Sequence, residues 1–264
     1  MKIVAPIVNV GEIEVLANAG ANEFYCGFVP DDWGTRFRAA NLNQRPSDNF
    51  CSYAELAQAV RVAHQCDCSL ALVLNAQSYT DEQGDALVSI ANSFLDMGGD
   101  ALIVSDLALI AELYEHVPLR RIHISSVATC RTHSAAWFCK ELGASRLILP
   151  RDVTIDEACE IASEVPGLEV ETLILNDAWM PRRLGGLCAL PALLSGGIAA
   201  VKIAGRAAPT ARKQASVRMV RAVLDQIEAG ERSKQVMRFA QALRPSVEHC
   251  RTGYMCNYPE VLKQ

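Results

Sequence analysis

Two permanent cations close an apolar run late in the chain: Lys202 sits inside "AAVKI" (199–203), and Arg206 follows in "AGRAAP" (204–209). Side chains alternate along a strand, so Val201 and Ile203 face one side while Ala200, Lys202 and Ala204 face the other. A buried ammonium with no partner is costly, so Lys202 must meet a carboxylate, an anionic ligand or water. Arg206 lies just ahead of the helix that follows Pro209. Helix starts of that kind bind anions, and α/β barrels often build phosphate sites from the loops after strands seven and eight. Together the two residues are expected to floor an anion-tolerant pocket. The plainer alternative is an ion pair buried for packing alone.

Other polar residues fall at the ends of apolar runs in the same way. These are Tyr25 and Gly27, Asn75, Ser105 and Asp106, Ser125 and Ser126, Arg151 and Asp152, and Asn176 and Asp177. The beginnings of the runs show no comparable bias. Lys202, Arg206 and Asn176 are the candidate catalytic residues; Tyr25, Arg38, Asn41, Asn75 and Ser125 are the candidate substrate-binding ones. Arg38 and Asn41 belong to a polar stretch, 28–51, too long for an ordinary connection unless it binds or covers something.

The elements that must position these groups recur along the chain. "AGANEFYCG" (19–27), "GGDALIVSD" (98–106), "LGASRLILPRD" (142–152) and "SGGIAAVKIAGR" (195–206) each place glycine where a helix ends, then a short apolar run. Glycine caps helices because it accepts positive φ without a Cβ clash. The runs are short and continuously apolar, as in parallel strands buried on both faces. Four more lie in the gaps, at 2–6, 69–75, 121–126 and 168–176. Helical patterns fill 52–65, 81–97, 131–142, 154–165 and about 210–228; Ser52 with Glu55 and Thr154 with Glu157 have capping-box spacing. Eight β-α units in 264 residues predict a (β/α)8 TIM-barrel-like single domain over 1–228, with a short C-terminal extension over 229–264. The other arrangement open to such a pattern is a doubly wound sheet.

A net charge of -5 gives no overall attraction to nucleic acid or anionic lipid. No apolar run is long enough to span a membrane, and the N-terminus lacks a signal-peptide pattern, so a soluble, cytoplasmic protein is expected. Ten cysteines in such a compartment read as free thiols or metal ligands.

Taken in order, "APIVNVGEIEVLANAGANEFYCG", "RFRAANLN", "GGDALIVSDLALI", "IHISSVATCRTHSAAWFCKELGASRLILPRD" and "VKIAGR" resemble the peptidase U32 family over roughly residues 1–228. The resemblance implies a barrel-like α/β domain. It also implies one of two activities: collagenase-like peptidase action, or hydroxylation of ubiquinone precursors, ribosomal RNA or transfer RNA. In several hydroxylation-type members four cysteines hold a [4Fe-4S] cluster. Cys188 in "GGLCALPALL", with Cys250 and Cys256 in "EHCRTGYMCNYPEV", resembles three of those ligands; the fourth is not identified. Three ordinary thiols are the alternative.

The leading expectation is thus a U32 enzyme or enzyme subunit binding a polar or anionic small molecule or RNA base, with or without an iron-sulfur cluster. A collagenase-like peptidase and a non-catalytic barrel that binds a protein partner, including another member of the family, are the alternatives. The sequence has neither a GxSxG elbow nor an HExxH helix. His123 and Ser125 lie too far apart along one strand side for a base-nucleophile contact; Cys130 with His133 is the remaining conceivable pair. Phosphate contacts could come from arginines 36, 38, 45, 182 and 183, and base stacking from Trp33 or Trp179.

Overall fold

The structure is a computed structural model describing residues 1–37, 42–45, 47–116, 121–176, 184–243 and 256–263. Strands β1 (Lys2–Pro6), β2 (Glu23–Gly27), β3 (Ser69–Leu74), β4 (Ala101–Val104), β5 (Ile122–Ile124), β6 (Ala144–Ile148) and β7 (Glu169–Asn176) follow one another around a ring. After the two-residue β8 (Leu184–Gly185) comes β9 (Ala200–Ala204), which pairs in parallel with both β7 and β1 and so closes the ring. The result is a (β/α)8 barrel of eight parallel strands. An open doubly wound sheet would leave two strands unpaired on one side, and none of the eight is. β8 adds an antiparallel pair to the end of β7, inside a stretch the sequence presents only as a loop.

The helices are α1 (Gly11–Ala17), a single turn α2 (Trp33–Arg36), α3 (Tyr53–Gln65), α4 (Asp81–Asp96), α5 (Leu107–His116), α6 (His133–Glu141), α7 (Ile155–Glu164), α8 (Leu190–Ser195), α9 (Thr210–Glu228) and α10 (Ser233–Ala242). Thr154 and Glu157 form the expected capping box of α7. Ser52 starts α3 differently: its hydroxyl accepts from the Ala54 amide at 3.2 Å, and no reciprocal Glu55 bond is formed among the described residues. In α9, Val217, Val220, Val223 and Leu224 are buried against the barrel, as their helical spacing requires.

Alternation divides each strand's side chains between two cores. Ile3, Phe24, Leu72, Leu102, Ile124, Leu147, Val201 and Ile203 face the helices, where burial of aliphatic surface contributes roughly 25 cal/mol per Å². Val4, Tyr25, Ala71, Val73, Ala101, Ile103, Ile148 and Ala200 fill the barrel axis. Below them, toward the strand N-termini, lies a charged layer that the sequence reading does not anticipate. Arg146, only 2% exposed, donates to Glu23, Glu169 and Glu171. Lys2 adds a contact to Glu23 at 2.8 Å. The strand beginnings therefore carry their own polar bias, and they neutralise it internally.

The C-terminal segment belongs to the same core. Val236 and Ala240 of α10 and Tyr258 and Val261 beyond it are buried with the barrel's outer residues. The Tyr258 hydroxyl donates to the Leu173 carbonyl at 3.1 Å.

Candidate functional site

At the C-terminal mouth of the barrel is a cavity of 410 Å³. Its floor is β9. Lys202 points inward, as alternation requires, with Nζ 3.1 Å from Glu171 Oε1 and 3.8 Å from the centre of the Tyr25 ring. Lys202 is thus ion-paired and also lines the cavity. Burial pushes its ammonium below the ordinary lysine range even though Glu171 pulls the other way.

Gly205, at φ +122°, turns the chain out of β9 in a conformation that a Cβ disfavours. Arg206 is thereby aimed back across the mouth. It is 7% exposed; Nη2 donates to Asn43 Oδ1 at 2.7 Å and Nη1 to Asn49 Oδ1 at 3.0 Å. Asn43 also donates to Asn49 at 2.9 Å, and its oxygen accepts from the Arg45 amide. The long polar stretch after β2 is thus stitched onto the mouth by Arg206, and Arg45 and Gln44 reach the cavity wall. The end of β2 must be glycine for this to occur. A Cβ on Gly27 would lie 1.8 Å from Arg206 Nη1 and 1.9 Å from Asn49 Oδ1.

Opposite, Asn75 donates to the Ser125 hydroxyl at 3.1 Å and accepts from the Gln44 amide at 3.3 Å. The Tyr25 hydroxyl donates to the Ile203 carbonyl at 3.1 Å, and burial pushes it well above the ordinary tyrosine range. Lys202, Arg206, Arg151 and Arg45 line the cavity, with no carboxylate among its described lining residues. Burial lowers the Arg206 and Arg151 guanidinia from the ordinary arginine value.

Of the sequence-derived candidates, Tyr25, Asn75, Ser125, Lys202 and Arg206 come together here. Asn176 ends β7 in register with Leu184 and Ala204 and stands outside the cavity wall. Arg38, Asn41 and Cys250 lie outside the described residues, as do Trp179, Arg182 and Arg183. Arg151, named among the polar strand ends, and Arg45, named among the arginines for phosphate, join them in the cavity wall; Asn43 and Asn49, which hold Arg206 in place, are additions.

A second cavity, of 740 Å³, opens at the opposite end between Lys2, Glu23, His123, Arg146 and Glu169. There Lys2 and Arg146 pair with Glu23 and Glu169.

Several expectations are corrected. Trp33 is 1% exposed and packs on Phe37, so it offers no stacking face to RNA. His133 Nδ1 is 3.3 Å from Glu160 Oε1, while Cys130 faces Cys139; the imagined cysteine-histidine pair does not form. His123 lines the N-terminal cavity and Ser125 the C-terminal one, which confirms that they cannot act together. Cys188 is buried in the turn Leu187–Ala189 after β8. Cys256 returns to the same place, forming a bridge with Gly185.

The sequence model of Peptidase family U32 matches residues 8–182 and 178–264. The chain belongs to peptidase family U32. Over 73 residues it is 38% identical to the tRNA hydroxylation protein P of Haemophilus influenzae and 36% identical to that of Escherichia coli. Each match covers 28% of this U32 chain and 16% of the relative's length. Among solved structures, the U32 peptidase Mk0906 superimposes with a TM-score of 0.52 at 16% identity, over 66% of this chain and 69% of that one. QR15, an aldolase, gives a TM-score of 0.54 at 12% identity over 87% and 96% of the two chains. At such identities the structural likeness shows the barrel alone. Among the described residues no helix is long and apolar enough to cross a membrane.

Proposed function

We propose that this U32 protein is a hydroxylation-type member that takes an anionic substrate, an RNA nucleotide or a small molecule, into the C-terminal cavity. The observation that carries the reading is the wall of Lys202, Arg206, Arg151 and Arg45 with no described carboxylate among them. The local similarity to tRNA hydroxylation proteins supports hydroxylation as the reaction class. A volume of 410 Å³ suits one nucleotide or a metabolite rather than a duplex, so a base must be unstacked to enter. Arg206 and Arg151 bind the anion, Asn75 and Ser125 offer orienting hydrogen bonds, and Lys202 with Tyr25 forms the floor.

Cys188, Cys250 and Cys256 are the proposed ligands of an iron-sulfur cluster. The β8 bridge brings Cys256 back beside the segment that carries Cys188, and thiolates are the donors such a cluster requires. A bound cluster would supply one-electron chemistry.

The test has two arms. Hydroxylated nucleosides in total tRNA are measured by mass spectrometry in cells lacking the chain, then after restoring wild type, Arg206→Gln or Cys188→Ser. Restoration by wild type alone is expected. In parallel, anaerobically purified protein is assayed for iron and sulfide. Unchanged tRNA nucleosides in all strains would overturn the hydroxylation reading. Peptide cleavage that survives repurification and depends on one side chain would favour a peptidase instead.

A further inference from the structure

The hydroxylation reading leaves Lys202 merely as part of a cationic floor, yet its surroundings are those of a reactive amine. It is the cavity lysine whose nitrogen sits on an aromatic face, inside a barrel otherwise lined there by small and aliphatic side chains. Its carboxylate partner is divided: Glu171 Oε1 accepts from Lys202 at 3.1 Å while Oε2 accepts from Arg146 at 3.0 Å. Glu171 Oε1 therefore lies within hydrogen-bond reach of Lys202 Nζ, where it can take up the proton that the amine must lose. Burial and the Arg146 guanidinium both push the ammonium toward its neutral form. Ala204 and Gly205, both small, line the same cavity as the amine. Desolvated lysines beside other cations are the ones that act as nucleophiles toward carbonyls.

We propose that Lys202 forms an imine with the carbonyl of a small anionic aldehyde or ketone, whose carboxylate or phosphate is held by Arg206, Arg151 and Arg45. The Lys202 ammonium gives one proton to Glu171 Oε1. The nitrogen lone pair then forms a bond to the carbonyl carbon as the carbonyl π pair moves to oxygen. That oxygen takes one proton from nitrogen and the proton held by Glu171, and leaves as water as the second carbon-nitrogen bond forms. One ammonium and one carbonyl give one protonated imine and one water, with no change of oxidation state. The inference rests on the cavity being the substrate site but not on hydroxylation.

The full chain is incubated with pyruvate in one arm and glyceraldehyde 3-phosphate in the other, reduced with sodium borohydride, and measured by intact mass and tryptic mapping. The expected result is a reduced adduct confined to the peptide spanning Lys202, with cleavage lost after that residue, in whichever arm carries the anion the arginines accept. Lys202→Arg, which keeps the cation but cannot form an imine, loses the adduct. No adduct in either arm, or one spread over surface lysines at equal yield in Lys202→Arg, would overturn the proposal. The wild-type peptide map decides by itself if the variant fails to fold. Because no RNA is present, a failed tRNA assay with a positive adduct rejects only the hydroxylation reading, and the converse rejects only this one.

Discussion

The guanidinium of Arg206 occupies the space that a Cβ on Gly27 would fill, 1.8 Å from Nη1. Two strand ends far apart in sequence thus depend on each other: β2 must stop on glycine so that the residue after β9 can fold back over the mouth. Gly27→Ala is expected to displace Arg206 and to weaken anion binding as much as Arg206→Gln does. Hydrogen bonds to charged groups are worth about 1.5–3 kcal/mol, so the loss is roughly 10-fold to 100-fold in Kd. Isothermal titration with inorganic phosphate compares the two variants. Full affinity in Gly27→Ala would show that Arg206 binds nothing.

The charged layer at the other end is structural, and its removal acts on stability. Arg146 is 2% exposed and serves three carboxylates. Arg146→Met strips their partner and is expected to destabilise the barrel by about 3–5 kcal/mol, with Lys202 left as the remaining cation near Glu171. Chemical denaturation measures the change.

That layer also sets acid sensitivity. Burial pushes the Glu23 carboxyl up, but the hydrogen bond and charge of Arg146, with Lys2, more than reverse this and hold it at about 2 against an ordinary 4.5. A carboxylate lowered in the folded state stabilises it fully above the unfolded value and loses that contribution as pH falls. Stability is therefore expected to decline between about pH 4.5 and pH 2. In Glu23→Gln the decline in that window is shallower. Denaturation midpoints across the range distinguish the two.

RNA affinity, if the cavity takes a nucleotide, falls with salt because phosphate contacts release counterions. Arg45→Gln and Arg151→Gln are each expected to lower the slope of log K against log salt by about 0.7 for single-stranded RNA. Equal slopes in wild type and both variants would place the RNA elsewhere on the surface.

Much of the frame was legible. Alternation along 199–204 places Lys202 on the side opposite Val201 and Ile203, because successive side chains on a strand must point opposite ways. The polar residues at strand ends supply Tyr25, Asn75, Ser125, Ser126, Arg151, Lys202 and Arg206 to the cavity, since the barrel gathers the strand ends on one face. Asn176 fits the same pattern but is not among the residues that line the cavity; it ends β7 where the two-residue β8 pairs with it. Nothing in the order of residues marks a two-residue antiparallel strand.

The sequence by itself determined the eight parallel strands and the alternation of their faces, because these follow from local periodicity; that the ring closes through β9 is a fact of the tertiary structure. Only the tertiary structure decided which charges meet. Arg146 with Glu23, Lys202 with Glu171, and Arg206 with Asn43 are pairings across strands or loops tens to more than a hundred residues apart. Such contacts depend on barrel register and loop path, and no short-range pattern encodes either.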